Sequence, residues 1–135
     1  MMHITGLYAA LAALLVIVLS IRVVWLRNTE RVGIGTGGNE RLARAIRAHA
    51  NAVEYLPLAL LLLLILDLDQ TWPWLLHVFG IVLIVGRVLH AIGLSNYAGM
   101  SFGRAAGIVL TLATTLAMAL LLLWKFAVWH ALPAG

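Results

Sequence analysis

Residues 44–66 read RAIRAHANAVEYLPLALLLLLIL, and the change of character along them decides the fold. The first half carries Arg44, Arg47, His49, Asn51 and Glu54, and after Tyr55 the run is apolar as far as Leu66. This is a helix that starts in a basic amphipathic stretch near Glu40 and then enters a bilayer. Pro57 lies inside it and removes one backbone donor, so a kink or local unwinding is expected there.

The rest of the chain has the same character. Of its 135 residues, 64% are hydrophobic and only 10% charged, too little polarity to clothe a soluble domain of this length. A bilayer core takes about 20 apolar residues per helix, which leaves room for roughly four spans and short connections. Span one is expected from about Ile4 to Leu26, with Arg22 near its end able to snorkel to the headgroups. Span two ends near Leu66, span three runs from about Trp74 to Leu94, and span four from about Phe102 to Trp129. The expected architecture is an all-α integral membrane protein, a four-transmembrane-helix bundle forming one domain over residues 1–135. Backbone groups in lipid must be satisfied within their own segment, which excludes open sheets and irregular chain.

Other classes fall away. The N-terminus has no basic region ahead of its apolar run and no clear cleavage site, so it reads as an uncleaved span. Without cysteine there is no disulfide framework, thiolate nucleophile or thiolate metal site. The net charge of +4 does not imply a nucleic-acid partner, because the arginines cluster at helix ends. The first loop and its flanks hold Arg27, Arg31, Arg41, Arg44 and Arg47. The third loop is flanked by Arg87 and Arg104, and the middle turn carries acids. By the positive-inside rule loops one and three are cytoplasmic and both termini face the other side. Trp72, Trp74, Trp124 and Trp129 fall where an interfacial aromatic belt belongs. The GIGTGG run at residues 33–38 lacks the lysine and strand of a phosphate loop, and reads as a plain flexible connection. Gly99, Gly103 and Gly107 recur every fourth residue, a spacing that serves either association between subunits or tight packing within one.

The polar residues of the spans carry the chemistry. Arg47, Asn51, Glu54 and Tyr55 stand at i, i+4, i+7 and i+8 and share one helix face. An ionisable group at the bilayer centre costs about 2.5–3.5 kcal/mol on the lenient insertion scale, so Glu54 needs partners or a wet cavity. Arg87 and His90, three apart, share a face of span three, and Arg104 opens span four. Arg27 sits at the same end of span one. All these groups lie towards the cytoplasmic half, and cations outnumber acids. Such a pocket suits a ligand with several carboxylates and one amine, and glutathione is such a ligand.

At these residues the sequence resembles the MAPEG family, the membrane-associated proteins in eicosanoid and glutathione metabolism. The pattern Arg47-x3-Asn51-x2-Glu54-Tyr55, closely followed by Pro57, is similar to the family's second-helix signature. Gly86-Arg87-Val-Leu-His90 resembles its third-helix arginine motif, and Arg104 stands where the family keeps a catalytic arginine. The resemblance covers essentially the whole chain. It implies a homotrimer with glutathione between subunits, held by Arg27, Arg47, His49, Asn51, Glu54, Tyr55, Arg87 and His90. It further implies glutathione transferase or glutathione-dependent peroxidase activity on hydrophobic small molecules or lipids entering from the membrane. One departure is Leu94, where some members have a tyrosine; Tyr97 is the nearest substitute.

In the enzymatic reading Arg104 stabilises the glutathione thiolate. Arginine stays protonated, so it cannot be the base. Three other readings remain open on the sequence. A small multidrug exporter would place its acid in span one and away from arginines. A haem protein would need two of His49, His77, His90 and His130 at matching depth on facing helices, and His49 and His90 come nearest to that. A non-catalytic lipid or glutathione binder shares every site residue.

Overall fold

The computed structural model describes residues 3–97 and 99–131; Ala98 of the third loop lies outside them. Four helices follow one another: α1 (Ile4–Glu30), α2 (Glu40–Leu68), α3 (Pro73–Asn96) and α4 (Phe102–Ala131). Each is long and apolar enough to cross a membrane. Leu14, Val18, Ile21, Leu61, Leu116 and Leu120 are exposed on the outside of the bundle, a surface that only lipid or another apolar partner can cover. The protein is an integral, multi-pass membrane protein.

The helices extend beyond the expected spans. α1 continues past Leu26 to Glu30 and stops where Arg31 turns left-handed at φ 55°. Hydropathy marks where a chain leaves lipid, whereas the helix ends only where its hydrogen bonds do. α2 starts at Glu40, capped by the Asn39 side chain, which accepts from the Leu42 N–H at 2.9 Å. It remains α-helical through Pro57. Pro57 is exposed, so its ring meets lipid rather than the packed interior. Pro73 opens α3 at a position where its missing N–H costs nothing.

The core is a column of side chains from α1, α2 and α3 that ends against Met118 of α4. Tyr8, Ala12, Ala52, Leu56, Ala59, Leu63, Leu76 and Leu83 are all buried in it. The small residues Ala45, Ala48, Ala52 and Ala59 let α2 approach its neighbours closely. α2 packs against all three other helices, whereas α1 and α4 do not meet among the described residues.

The closest approach is between α3 and α4. A Cβ added to Gly107 would lie 2.5 Å from the Gly86 oxygen and 2.5 Å from the His90 nitrogen, and one added to Gly93 would lie 2.5 Å from the Arg104 nitrogen. Gly103 and Gly107 therefore serve packing within the subunit. Gly86 and Gly93 of α3 complete the seam; the sequence reading named Gly86 only as part of the arginine motif and passed over Gly93. Gly99 stands apart in the loop, beside Tyr97.

The end of the bundle that carries the middle turn is fastened by polar contacts. The Asp67 carboxylate accepts from the Thr5 N–H at 2.8 Å, placing a negative charge at the N-terminus of α1. The Tyr8 ring lies flat on Gly80, and its hydroxyl reaches His77 Nδ1 at 2.8 Å. Lys125 of α4 donates to the Asp69 carbonyl at 2.9 Å, the Asp69 carboxylate and the Thr71 hydroxyl at 3.0 Å, which ties the turn to α4.

Candidate functional site

The site centres on Arg87. Its side chain is only 1% exposed, yet none of the three ion pairs among the described residues involves it. Nε donates to the Thr111 hydroxyl at 2.8 Å, and Nη1 donates to the Asn51 side-chain oxygen at 2.9 Å and its carbonyl at 3.4 Å. The Tyr55 ring lies 5.2 Å from the guanidinium carbon, a cation–π distance. Nη2 is buried and has no partner. Burying an unpaired cation is costly, and neutral hydrogen bonds offset that only in part. The arrangement is a guanidinium of α3 held in place by α2 and α4, with one nitrogen left without a hydrogen-bond partner.

Thr111 escaped the sequence reading. It is fully buried, accepts from Arg87 and donates to the Gly107 carbonyl at 2.8 Å. Lone threonines are common in spans, where they bond back to their own helix. Only the neighbouring guanidinium distinguishes this one.

His90 and Arg104 form the adjoining part. His90 is 6% exposed, with Nδ1 3.1 Å from the Arg104 carbonyl. A carbonyl only accepts, so Nδ1 carries the proton and Nε2 of the neutral ring is left as an acceptor. Arg104 lies in the first turn of α4, where the Ser101 hydroxyl accepts from its N–H at 3.3 Å. Among the described residues its guanidinium makes one long contact, with the Gly99 carbonyl at 3.5 Å. A cation at a helix N-terminus opposes the macrodipole, and together the two are a strong attractant for an anion.

The remaining candidates do not join this cluster within the chain. Arg47 and Glu54 are exposed, pointing away from the inward row of Ala48, Ala52 and Leu56. At about 100° per residue, Asn51 and Tyr55 lie between those two faces, so the stripe runs from the Arg87 guanidinium out to the surface. His49 is half-buried and about 200° round the helix from Arg47. Arg27 Nη1 donates to the carbonyls of Val32, Gly33 and Gly35 at 3.1–3.2 Å. The glycine-rich loop is thus organised around a cation, with carbonyl oxygens turned inward. A phosphate loop would turn N–H groups inward. Gly37 and Gly38 have φ of 57° and 80°, which permits the tight return to Asn39. Leu94 is buried and apolar, and Tyr97 is exposed at the end of α3. Among the described residues no group of three or more His, Asp or Glu side chains could hold a metal.

Fold and site together define a four-span membrane protein with a buried arginine, Arg87, held by α2 and α4, and His90 and Arg104 beside it towards loop three. The model of the MAPEG family matches residues 5–124, and the chain belongs to that family. It is 40% identical over 121 residues to the inner membrane protein YecN of Escherichia coli strain K12, covering 90% of this chain and 91% of the relative. The match to YecN of Escherichia coli O6:H1 has the same extent.

Proposed function

We propose that the protein binds glutathione in the Arg87 pocket and uses it as a glutathione transferase or glutathione-dependent peroxidase on hydrophobic substrates. The observation that carries this is Arg87: buried, free of any carboxylate in contact, and with Nη2 unpartnered. In this reading a carboxylate of the ligand satisfies that nitrogen, and membership of the MAPEG family supports glutathione as the ligand.

The outward residues fit a homotrimer. Arg47 and Glu54 are exposed on a helix at membrane depth, where a lipid contact is costly. A neighbouring subunit covers that face and closes the ligand site between subunits, with Arg27 and His49 approaching from its edge. Glu54 then receives the ligand's ammonium, and Arg47 a second carboxylate. Loops one and three are cytoplasmic, on the side where glutathione is available.

Glutathione would supply the nucleophilic sulfur. A free thiol of this kind has a pKa of about 8.5, and the thiolate is the reactive form. Arg104, at the positive end of α4, favours the thiolate by about 1.4 kcal/mol for each unit of pKa it removes. The exposed seams between helices admit an apolar electrophile or lipid hydroperoxide from the bilayer. Conjugation of a hydrophobic aryl halide and reduction of a lipid hydroperoxide, each at millimolar glutathione, test this. Activity that falls at least tenfold in Arg104→Ala supports it, and full activity in that variant removes Arg104 from the role.

Leu94 favours a second reading. It puts an apolar, buried side chain one turn beyond His90, where a hydroxyl would serve chemistry. A binder of glutathione or lipid without catalysis keeps every other feature, and saturable binding with no turnover would identify it.

A further inference from the structure

A second basic cluster lies on α1 and α2, outside the Arg87 pocket. Arg22 of α1 is half-buried, and the charges of both Arg41 and Arg44 of α2 bear on it. The two helices run in opposite directions, so residues near the loop face each other and deeper ones do likewise. Arg41 lies over the Trp25 ring at 5.6 Å. One turn deeper, Arg22 and Arg44 occupy the next rung, since each stands three residues from its partner on the outer rung. Between the helices Leu26, Leu42 and Ala45 form a small buried cluster that fixes their spacing.

The charges at this place do not balance. Glu40 is the one acid in contact, 3.4 Å from Arg44, and its side chain is 84% exposed. Arg22 takes part in none of the ion pairs among the described residues, and Nε of Arg44 is buried without a partner. Arg22 also lies eight residues before the end of α1, about 12 Å down the helix and one turn inside the expected end of the span at Leu26, from where its side chain can snorkel to the headgroups. Three guanidinium groups repel one another there unless an anion from outside joins them. The phosphate of a membrane lipid is an anion of the right charge at that depth, and Trp25, 53% exposed, offers an apolar wall for the start of its acyl chains.

We propose that Arg22, Arg41 and Arg44, with Trp25, form a binding site for the phosphate of an anionic phospholipid in the leaflet facing loop one. Arg22 and Arg44 donate to the phosphate oxygens, and Arg41, braced on Trp25, closes the site from the loop side. The proposal does not depend on glutathione binding, because none of its residues belongs to the Arg87 pocket.

Native mass spectrometry of the detergent-solubilised full chain, titrated with phosphatidylglycerol or phosphatidylcholine, tests it. Wild-type protein is expected to retain phosphatidylglycerol in preference, and Arg22→Gln to weaken that retention about fivefold while Arg22→Lys restores most of it. Equal retention of the two lipids, or unchanged retention in both Arg22→Gln and Arg44→Gln, overturns the proposal. Inorganic phosphate that displaces the lipid at equal concentration shows a site for free phosphate and overturns the lipid assignment. A reading on unmodified protein guards against variants that misfold. Brominated phosphatidylglycerol should quench the tryptophan fluorescence more than brominated phosphatidylcholine does, and Trp25→Phe should abolish the difference. Equal quenching by the two lipids overturns the proposal as well.

Discussion

Arg87 shows what a single residue can and cannot disclose in sequence. Its position three before His90, inside an apolar run, marked it as functional. The sequence asked for partners or a wet cavity around Glu54 without saying which, and Arg87 is not that partner: Glu54 is exposed, and Arg87 is held by Asn51, Thr111 and the face of Tyr55. Thr111 could not be read beforehand because its role comes from a residue 24 positions away on another helix. A variant pair isolates that role. Thr111→Val keeps the volume but leaves the Arg87 Nε donor unmet, at a cost of about 1–3 kcal/mol. Glutathione affinity is expected to fall about tenfold or more with it, and Thr111→Ser to restore affinity and stability together. Titration of both variants, with their thermal midpoints in detergent, checks this.

Whole helices were far more legible than their contacts. Four spans follow from apolar length, and each appears within a few residues of the sequence expectation. The overruns have physical causes: α1 persists beyond lipid until Arg31 turns left-handed, and Asn39 fixes the start of α2. The seam between α3 and α4 was half legible. The spacing of Gly103 and Gly107 signalled close packing but not its partner, and the partner surface is Gly86 and Gly93. Gly107→Ala should force these helices apart and destabilise the fold by about 1–3 kcal/mol. Nothing lies within 4 Å of a Cβ added at Gly6, so Gly6→Ala should leave the fold unharmed. Thermal unfolding in detergent compares the two. The fastening of α1 by Asp67 and of Tyr8 by His77 was invisible for the same reason as Thr111, since both join distant positions.

Taken as a whole, the molecule is polarised. One end is closed by Asp67, Asp69, Lys125 and His77: Asp69 meets Lys125, Asp67 accepts from the Thr5 N–H, and His77 meets the Tyr8 hydroxyl. The other end gathers Arg22, Arg41, Arg44, Arg47, Arg87 and Arg104 with little acid to match. That asymmetry is what the positive-inside rule reads, and on that rule we propose that the basic end faces the cytoplasm. The chain has no cysteine, so single substitutions report cleanly. In inside-out vesicles, Thr36→Cys should react with an impermeant maleimide and Gln70→Cys should be protected. Intact cells should show the reverse, and the same side for both positions would refute a four-span topology.

The pocket itself is most directly tested by calorimetry of glutathione binding to the purified protein and to Arg87→Met. The substitution replaces a buried, uncompensated charge with an apolar chain of similar length, which relieves a desolvation cost while removing the anion partner. Saturable binding to wild type, lost in an Arg87→Met protein that still folds, is the result expected. Wild-type protein that is folded yet binds nothing at millimolar glutathione, or an Arg87→Met protein that binds as tightly as wild type, would show that this guanidinium is not the ligand's anchor.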